Sequence, residues 1–179
     1  MSIADKYRPQ FTYEDYLKWE GKWELIEGTP YAMSPSPVRE HQVINGNLHS
    51  IFKDKLKDSC SHCKVYMPID WKVDEKTVVQ PDLMVVSKPF TTKFLEVTPS
   101  IVIEILSPST AYKDRHEKLE LYEQEKVRYY LIIDPQFKKV EIYELVEEKY
   151  QPVAVTPAEF EFIVEDNCRF RVQFEGMWE

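Results

Sequence analysis

Apolar residues at Ile44, Leu48, Ile51, Phe52 and Leu56 fall at i, i+4, i+7, i+8 and i+12. That stripe predicts a helix from about Val38 to Lys57, with Lys53, Asp54, Lys55, Lys57 and Asp58 on its solvent side. Gly46 lies inside the pattern, at a cost of roughly 1 kcal/mol relative to Ala. Elsewhere the chain is punctuated by short β-branched runs. Lys22 to Ile26 and Thr29 to Met33 flank Glu27-Gly28 and read as a hairpin. Before it, Thr12 caps a short helix that ends near Trp19, with Asp15 completing a variant of the capping box. Ser34-Pro35-Ser36-Pro37 breaks the hairpin and leads into the long helix. Val65 to Trp71 and Val78 to Val86 are predicted strands joined by a turn at Val73-Asp74-Glu75-Lys76.

The run Ile101 to Leu106 is a buried strand by its composition, followed by Ser107-Pro108-Ser109-Thr110, which offers helix caps. A second long helix then covers Ala111 to Gln124, and an apolar strand covers Arg128 to Asp134. Strand, helix and strand at this spacing make a βαβ crossover, so the Glu104 and Leu131 strands should run parallel. Val140 to Leu145 returns antiparallel, while Phe160 to Val164 and Phe170 to Phe174 are strand-like runs without an assigned place. The whole reads as a single α/β domain over residues 1–179, with a mixed central sheet, flanking helices and an N-terminal helix and hairpin.

Two carboxylates interrupt these apolar runs. Glu104 sits mid-strand, where an unpaired charge is costly, and Asp82 sits in the preceding strand. If the two strands pair antiparallel around the Ser87 to Pro99 connection, a register of 82 opposite 104 also sets 86 opposite 100. Asp82 and Glu104 then share a face, close enough to hold one cation. Plainer roles exist: Asp82 can cap a turn after Pro81, and Glu104 can form a buried pair with a lysine. On the second helix Asp114 and Lys118 are four apart and share a face, so Lys118 can aim at the carboxylates. As an exposed i, i+4 pair they would be worth only ~0.3–0.5 kcal/mol. Lys113, five positions before Lys118, points to a different side of a regular helix.

Composition narrows the function. Hydrophobic residues at 43% and aromatic residues at 13% fit a folded domain, and no apolar stretch is long enough for a membrane span. The N-terminus Met1 to Lys6 has no signal-peptide core, so the chain is expected in the cytoplasm. The net charge of −8 disfavours a generic basic face for nucleic acid, though not a local groove or a cation-screened site. Cys60-Ser61-His62-Cys63 invites a zinc reading, with His49 as a possible further ligand. One Cys-x-x-Cys without a second ligand pair points instead to a reduced, partly buried thiol pair, and three cysteines make a disulfide framework unexpected. His41 at the start of the long helix can contact phosphate or orient a carboxylate, although a satisfied structural histidine is the commoner case. Tyr129, Tyr130 and Tyr143 lie on strands and read as core rather than base-stacking platforms.

In combination, Gln80-Pro81-Asp82, Val102-Ile103-Glu104-Ile105-Leu106-Ser107-Pro108, Asp114 to Tyr122 and Val127 to Pro135 resemble a large bacterial family of the PD-(D/E)XK, or restriction-endonuclease-like, nuclease superfamily. Trp23 to Gly28 and the stretch from Ser34 to His41 are similar to its N-terminal signature, and the resemblance spans roughly Tyr13 to Tyr150. It implies a Mg²⁺- or Mn²⁺-dependent DNA endonuclease. Asp82, Glu104 and the carbonyl of Ile105 would hold the metal, and Asp114, Gln80 and His41 would support the site. The superfamily places a lysine two residues after the strand glutamate, where this chain has Leu106. The resemblance implies that Lys118 supplies the migrated ammonium. Glu24 and Glu27 are candidates for an additional carboxylate; if the strand is regular up to Glu27, hairpin parity gives them opposite orientations, with Glu24 preferred. A homodimer would suit cleavage of both DNA strands. The rival expectation is a nuclease fold without turnover, acting as a regulatory module that binds nucleic acid or protein. The acidic balance and Leu106 favour it.

Overall fold

The computed structural model describes residues 9–33, 38–165 and 168–179. The Ser34-Pro35-Ser36-Pro37 break and the Met1 to Lys6 stretch lie outside them. A six-stranded sheet forms the centre, built from β3 (Lys64–Tyr66), β6 (Leu83–Val86), β7 (Ile101–Ile105), β8 (Tyr129–Asp134), β9 (Lys139–Val146) and β10 (Lys149–Val155). Its spatial order is β10-β9-β8-β7-β6-β3, and β7 and β8 are its parallel pair. The expected crossover between them is present. It runs through α3 (Ala111–Arg115) and α4 (Glu117–Gln124), two helices divided at His116 where one was expected.

Both faces of the central strands β6, β7 and β8 are buried, which is why these strands read as near-continuous apolar runs. On β7, Ile101, Ile103 and Ile105 face one core with Leu48, Phe52 and Leu56 of α2 (Arg39–Ser59). Val102 faces the opposite core with Leu121 and Tyr122 of α4. Glu104 shares the parity of Val102, so it enters the α4 side. The β6–β7 register pairs Leu83 with Ile103 and Val85 with Ile101, the frame the stray carboxylates implied.

Two expected strands are each broken. Val65 to Trp71 divides into β3 and β4 (Trp71–Asp74), and Val78 to Val86 divides into β5 (Thr77–Val79) and β6. β3 pairs with β6 (Lys64 with Val86) and β4 with β5 (Trp71 with Val79) in one continuing register, so this is a single long hairpin bent across its middle. The bend falls at Met67-Pro68-Ile69-Asp70 and Gln80-Pro81-Asp82, where each proline lacks the N–H a straight ladder needs. Past the bend the hairpin joins a second, four-stranded sheet of order β2-β1-β5-β4, with β1 (Trp23–Ile26) and β2 (Thr29–Ala32) as its other half. The expected β1–β2 turn is formed by Glu27 and Gly28, both at positive φ, and a Cβ on Gly28 would meet Gln10 Oε1 at 2.6 Å. Ahead of it α1 (Tyr13–Tyr16) is shorter than expected, with the Thr12 N–H donating to Asp15 Oδ2 at 3.0 Å.

The unassigned C-terminal runs form a separate hairpin, β11 (Glu159–Val164) with β12 (Cys168–Gln173). Phe162 and Phe170 lay its apolar face on Phe52 of α2, with ring centroids 5.5 and 6.0 Å away. β12 also carries Cys168 to the end of α2, where it forms a disulfide with Cys60, their Cα atoms 5.4 Å apart, against the expectation of reduced thiols. The expected partly buried Cys60–Cys63 pair is therefore corrected. All three cysteines are buried, and their sulfurs lie within 4.8 Å of one another. Tyr129 and Tyr130 are core residues, as expected, and Tyr143 packs against the α4-side core.

Candidate active site

The bend in the long hairpin creates the site. Because Gln80-Pro81-Asp82 passes from one sheet to the other, it lies where the end of β7 meets β1 of the small sheet. Asp82 Oδ2 accepts the Ile105 N–H at 2.9 Å, so this carboxylate stands directly against the Ile105 peptide. His41 Nε2 contacts the same oxygen at 3.1 Å, and the Asn45 side-chain amide holds the Asp82 carbonyl at 3.0 Å. His41 thus orients a carboxylate, one of the two roles its position suggested. Burial works against the charged imidazole, but the bond to Asp82 and its charge outweigh this and raise the His41 pKa.

Lys118 is at the centre. Its Nζ donates to Glu104 Oε1 at 2.8 Å, lies 2.8 Å from Glu24 Oε1, and is 3.6 Å from Asp114 Oδ1. It is 3% exposed, so the expectation of an exposed helix lysine is corrected: the split at His116 turns α4 inward against the sheet. Tyr122, one turn further along α4, donates to the same Glu104 oxygen at 2.7 Å. Glu24 comes from β1 and is fully buried, while Glu27 faces solvent because β1 ends at Ile26 and Glu27 is a turn residue at positive φ. The Gln80 N–H donates to Glu24 Oε1 at 3.0 Å, and its side-chain amide donates to Asp70.

Lys113 is the second correction. It bonds Glu24 Oε2, so Glu24 lies between two ammonium groups. The 100° steps that placed Lys113 elsewhere hold only along an unbroken helix, and this one breaks between Lys113 and Lys118. Tyr122 was also missed, although its i, i+4 spacing from Lys118 was a readable signal.

The electrostatics divide the two glutamates. Burial opposes the charge on Glu24, but Lys118 and Lys113 together hold its carboxyl below the ordinary range. For Glu104 burial wins: Lys118 offsets it only in part, Asp114, Asp82 and Glu24 add repulsion, and the pKa is pushed up to about 8. Burial also raises Asp114, despite Lys118. Lys118 itself is raised well above the usual lysine value, because Glu104, Glu24 and Asp114 outweigh its burial. Four acidic groups thus crowd two ammoniums, and Asp114 Oδ1 is buried with no hydrogen-bond partner. A site with such a deficit of positive charge and an all-oxygen donor set fits a hard divalent cation. Asp82, Glu104 and the Ile105 carbonyl are the residues that would hold it.

Lys113→Ala is expected to destabilise the fold by roughly 1–3 kcal/mol, the worth of a hydrogen bond to a buried charge. Chemical denaturation beside the exposed-lysine variant Lys55→Ala measures this. Equal midpoints would show that Lys118 alone suffices for Glu24.

A cleft of about 350 Å³ opens beside the β1–β2 hairpin, lined by Glu27, Tyr31, Glu117, Glu120 and Leu121 among others. Among the described residues no lysine or arginine lines it, so these offer little to a phosphate backbone.

The fold and this constellation define a restriction-endonuclease-like protein. The chain belongs to the Uma2 family, described as "Putative restriction endonuclease", whose model matches residues 13–171. It is 30% identical over 144 residues to the uncharacterized protein slr1290 of Synechocystis sp., covering 75% of this chain and 74% of that one. It also superposes on the crystal structure of a "putative nuclease belonging to DUF820" from Anabaena variabilis. There the TM-score is 0.71 at 17% identity, over 94% of this chain and 97% of the other. Among the described residues, no helix is long and apolar enough to cross a membrane.

Proposed function

We infer that this protein is a Mg²⁺- or Mn²⁺-dependent endonuclease that hydrolyses DNA phosphodiester bonds. The observation that carries the reading is the buried Lys118 ammonium, delivered from α4 to the Glu104 carboxylate in place of a strand lysine. A structural ion pair needs one acid and one base. Here Glu24, Asp114 and Asp82 are added around it, and Glu104 is left short of positive charge.

Held by Asp82, Glu104 and the Ile105 carbonyl, the cation would acidify a bound water and neutralise charge building on the phosphate. The remaining work falls to side chains. Lys118 is held firmly protonated, so it donates: it orients the attacking water or binds a nonbridging phosphate oxygen as charge grows. It does not serve as the base, which would need a depressed pKa. Glu24 and Asp114 fix the ammonium from two sides. His41 fixes the Asp82 carboxylate, and Tyr122 fixes that of Glu104.

The test is cleavage of linear, nicked and single-stranded DNA by the purified chain with Mg²⁺ or Mn²⁺. Parallel assays use Asp82→Ala and Glu104→Ala, with metal binding followed by calorimetry. Metal-dependent cleavage by the parent, and loss of both cleavage and metal affinity in the variants, is the expected result. A parent that binds no divalent cation and cuts none of these substrates would move the function to a binding module on a nuclease fold, the reading the −8 net charge favours.

A further inference from the structure

The three cysteines lie on the face of the sheet away from the candidate active site. Cys60 is the residue at which α2 ends, Cys63 closes the turn that follows, and Cys168 arrives on β12. Their sulfurs all lie within 4.8 Å of one another, and Cys63 Sγ is 3.9 Å from Cys168 Sγ. Each residue is at most 5% exposed. The Cys63 N–H donates to the Cys60 carbonyl at 2.9 Å, so the Cys-x-x-Cys segment is a tight turn presenting both sulfurs to one point. The sequence offered His49 as a further ligand for this pair; the fold supplies Cys168 instead, 105 residues beyond Cys63.

The disulfide between Cys60 and Cys168 uses two of these sulfurs and leaves the buried Cys63 thiol, 3.9 Å from Cys168 Sγ, without a role. A soft cation uses all three. Thiolates select zinc-class metals over hard cations, and structural zinc takes four ligands in a tetrahedron. Two further donors lie close to Cys63 and Cys168 along the chain. His62 Nε2 lies 3.5 Å from Glu165 Oε2; His62 precedes Cys63, and Glu165 follows β11 just before Cys168. Both are partly exposed, so this side of the cluster opens to solvent.

We propose that Cys60, Cys63 and Cys168, as thiolates, form a structural zinc site that fastens the β11–β12 hairpin to the end of α2. The fourth ligand comes from the His62–Glu165 rim. The Cys60–Cys168 disulfide is first opened by a dithiol or glutathione-type reductant, which takes up the disulfide as its own and supplies two electrons and two protons; each of the three thiols then gives up a proton to solvent as the metal binds.

The full chain, expressed in a reducing cytosol and purified anaerobically without added metal, is assayed for zinc by elemental analysis and for linked peptides by mass spectrometry. The result expected is about one zinc per chain, lost in Cys63→Ala and Cys168→Ser. Replacement by Co²⁺ should give sulfur-to-cobalt charge-transfer absorption and a tetrahedral visible spectrum. Cys63→Ala is the deciding variant, because it leaves a Cys60–Cys168 disulfide able to form. Folded Cys63→Ala with its zinc retained would overturn the proposal. So would parent protein without zinc, whether its three thiols are free or Cys60 and Cys168 are joined. A strong chelator should also lower the melting temperature of the parent and leave that of Cys63→Ala unchanged.

Discussion

Lys118→Met is expected to abolish DNA cleavage and to destabilise the fold in the same step. The ammonium is buried and lies 2.8 Å from both Glu104 and Glu24. Methionine preserves most of its apolar stem, so packing is largely kept and charge is what changes. Removing one partner from a buried ion pair leaves the other charge uncompensated, typically at ~3–5 kcal/mol. At about 2–4 °C per kcal/mol for a chain of this size, the melting temperature should fall visibly. Loss of a preorganised donor facing transition-state charge costs a further ~10²–10³ in rate. The two effects separate below the variant's melting temperature, where folded protein should still bind the divalent cation. A folded Lys118→Met that cuts as well as its parent would exclude the migrated-lysine site. Lys55→Ala on the exposed face of α2 is the neutral comparison. Lys113→Ala is not, because Lys113 shares Glu24 with Lys118.

The legible parts of the site were those set by strand parity. One register of β6 against β7 follows from two out-of-place carboxylates, whereas Glu27 is exposed because it lies in the turn beyond β1, where strand parity does not apply. Parity is a local rule that tertiary packing does not overturn, since a one-residue slip would flip every apolar residue out of the core. The bends at Pro68 and Pro81 were marked by residue type, but only the fold shows that both halves of the hairpin change sheets together. The surroundings of Lys118 were illegible for a different reason: the break at His116 carries no proline or glycine. β10 hid similarly. Its turn uses Glu147 and Glu148 at positive φ instead of the usual Asn-Gly, and Pro152 is tolerated because β10 is an edge strand. The Cys168 contact is the least local of all, a pairing across 108 residues that no spacing rule encodes.

Glu104 should also write its protonation into the stability of the metal-free chain. In the folded state its proton is held up to about pH 8, whereas an ordinary glutamate releases it near 4.5. Between those values the folded state binds more protons than the unfolded, so this contribution is fully present below about 4.5 and lost as pH rises through about 8. Over that window the linkage is on the order of 3–5 kcal/mol. His41, also raised, loses its contribution with rising pH in the same direction, and lowered Glu24 loses its contribution as pH falls. The difference between the parent and Glu104→Gln removes both. Denaturation in chelator at about pH 5 and about pH 9 should show the parent losing several kcal/mol relative to Glu104→Gln. A bound divalent cation reverses the preference, because it needs the carboxylate and displaces its proton. Metal affinity should therefore rise with pH until about 8, with a proton released on binding below that point. Calorimetry in buffers of different ionisation enthalpy reads this release directly. Parallel stability profiles for the two chains, with no proton released on metal binding, would mean that Glu104 is already ionised and that Lys118 alone satisfies it.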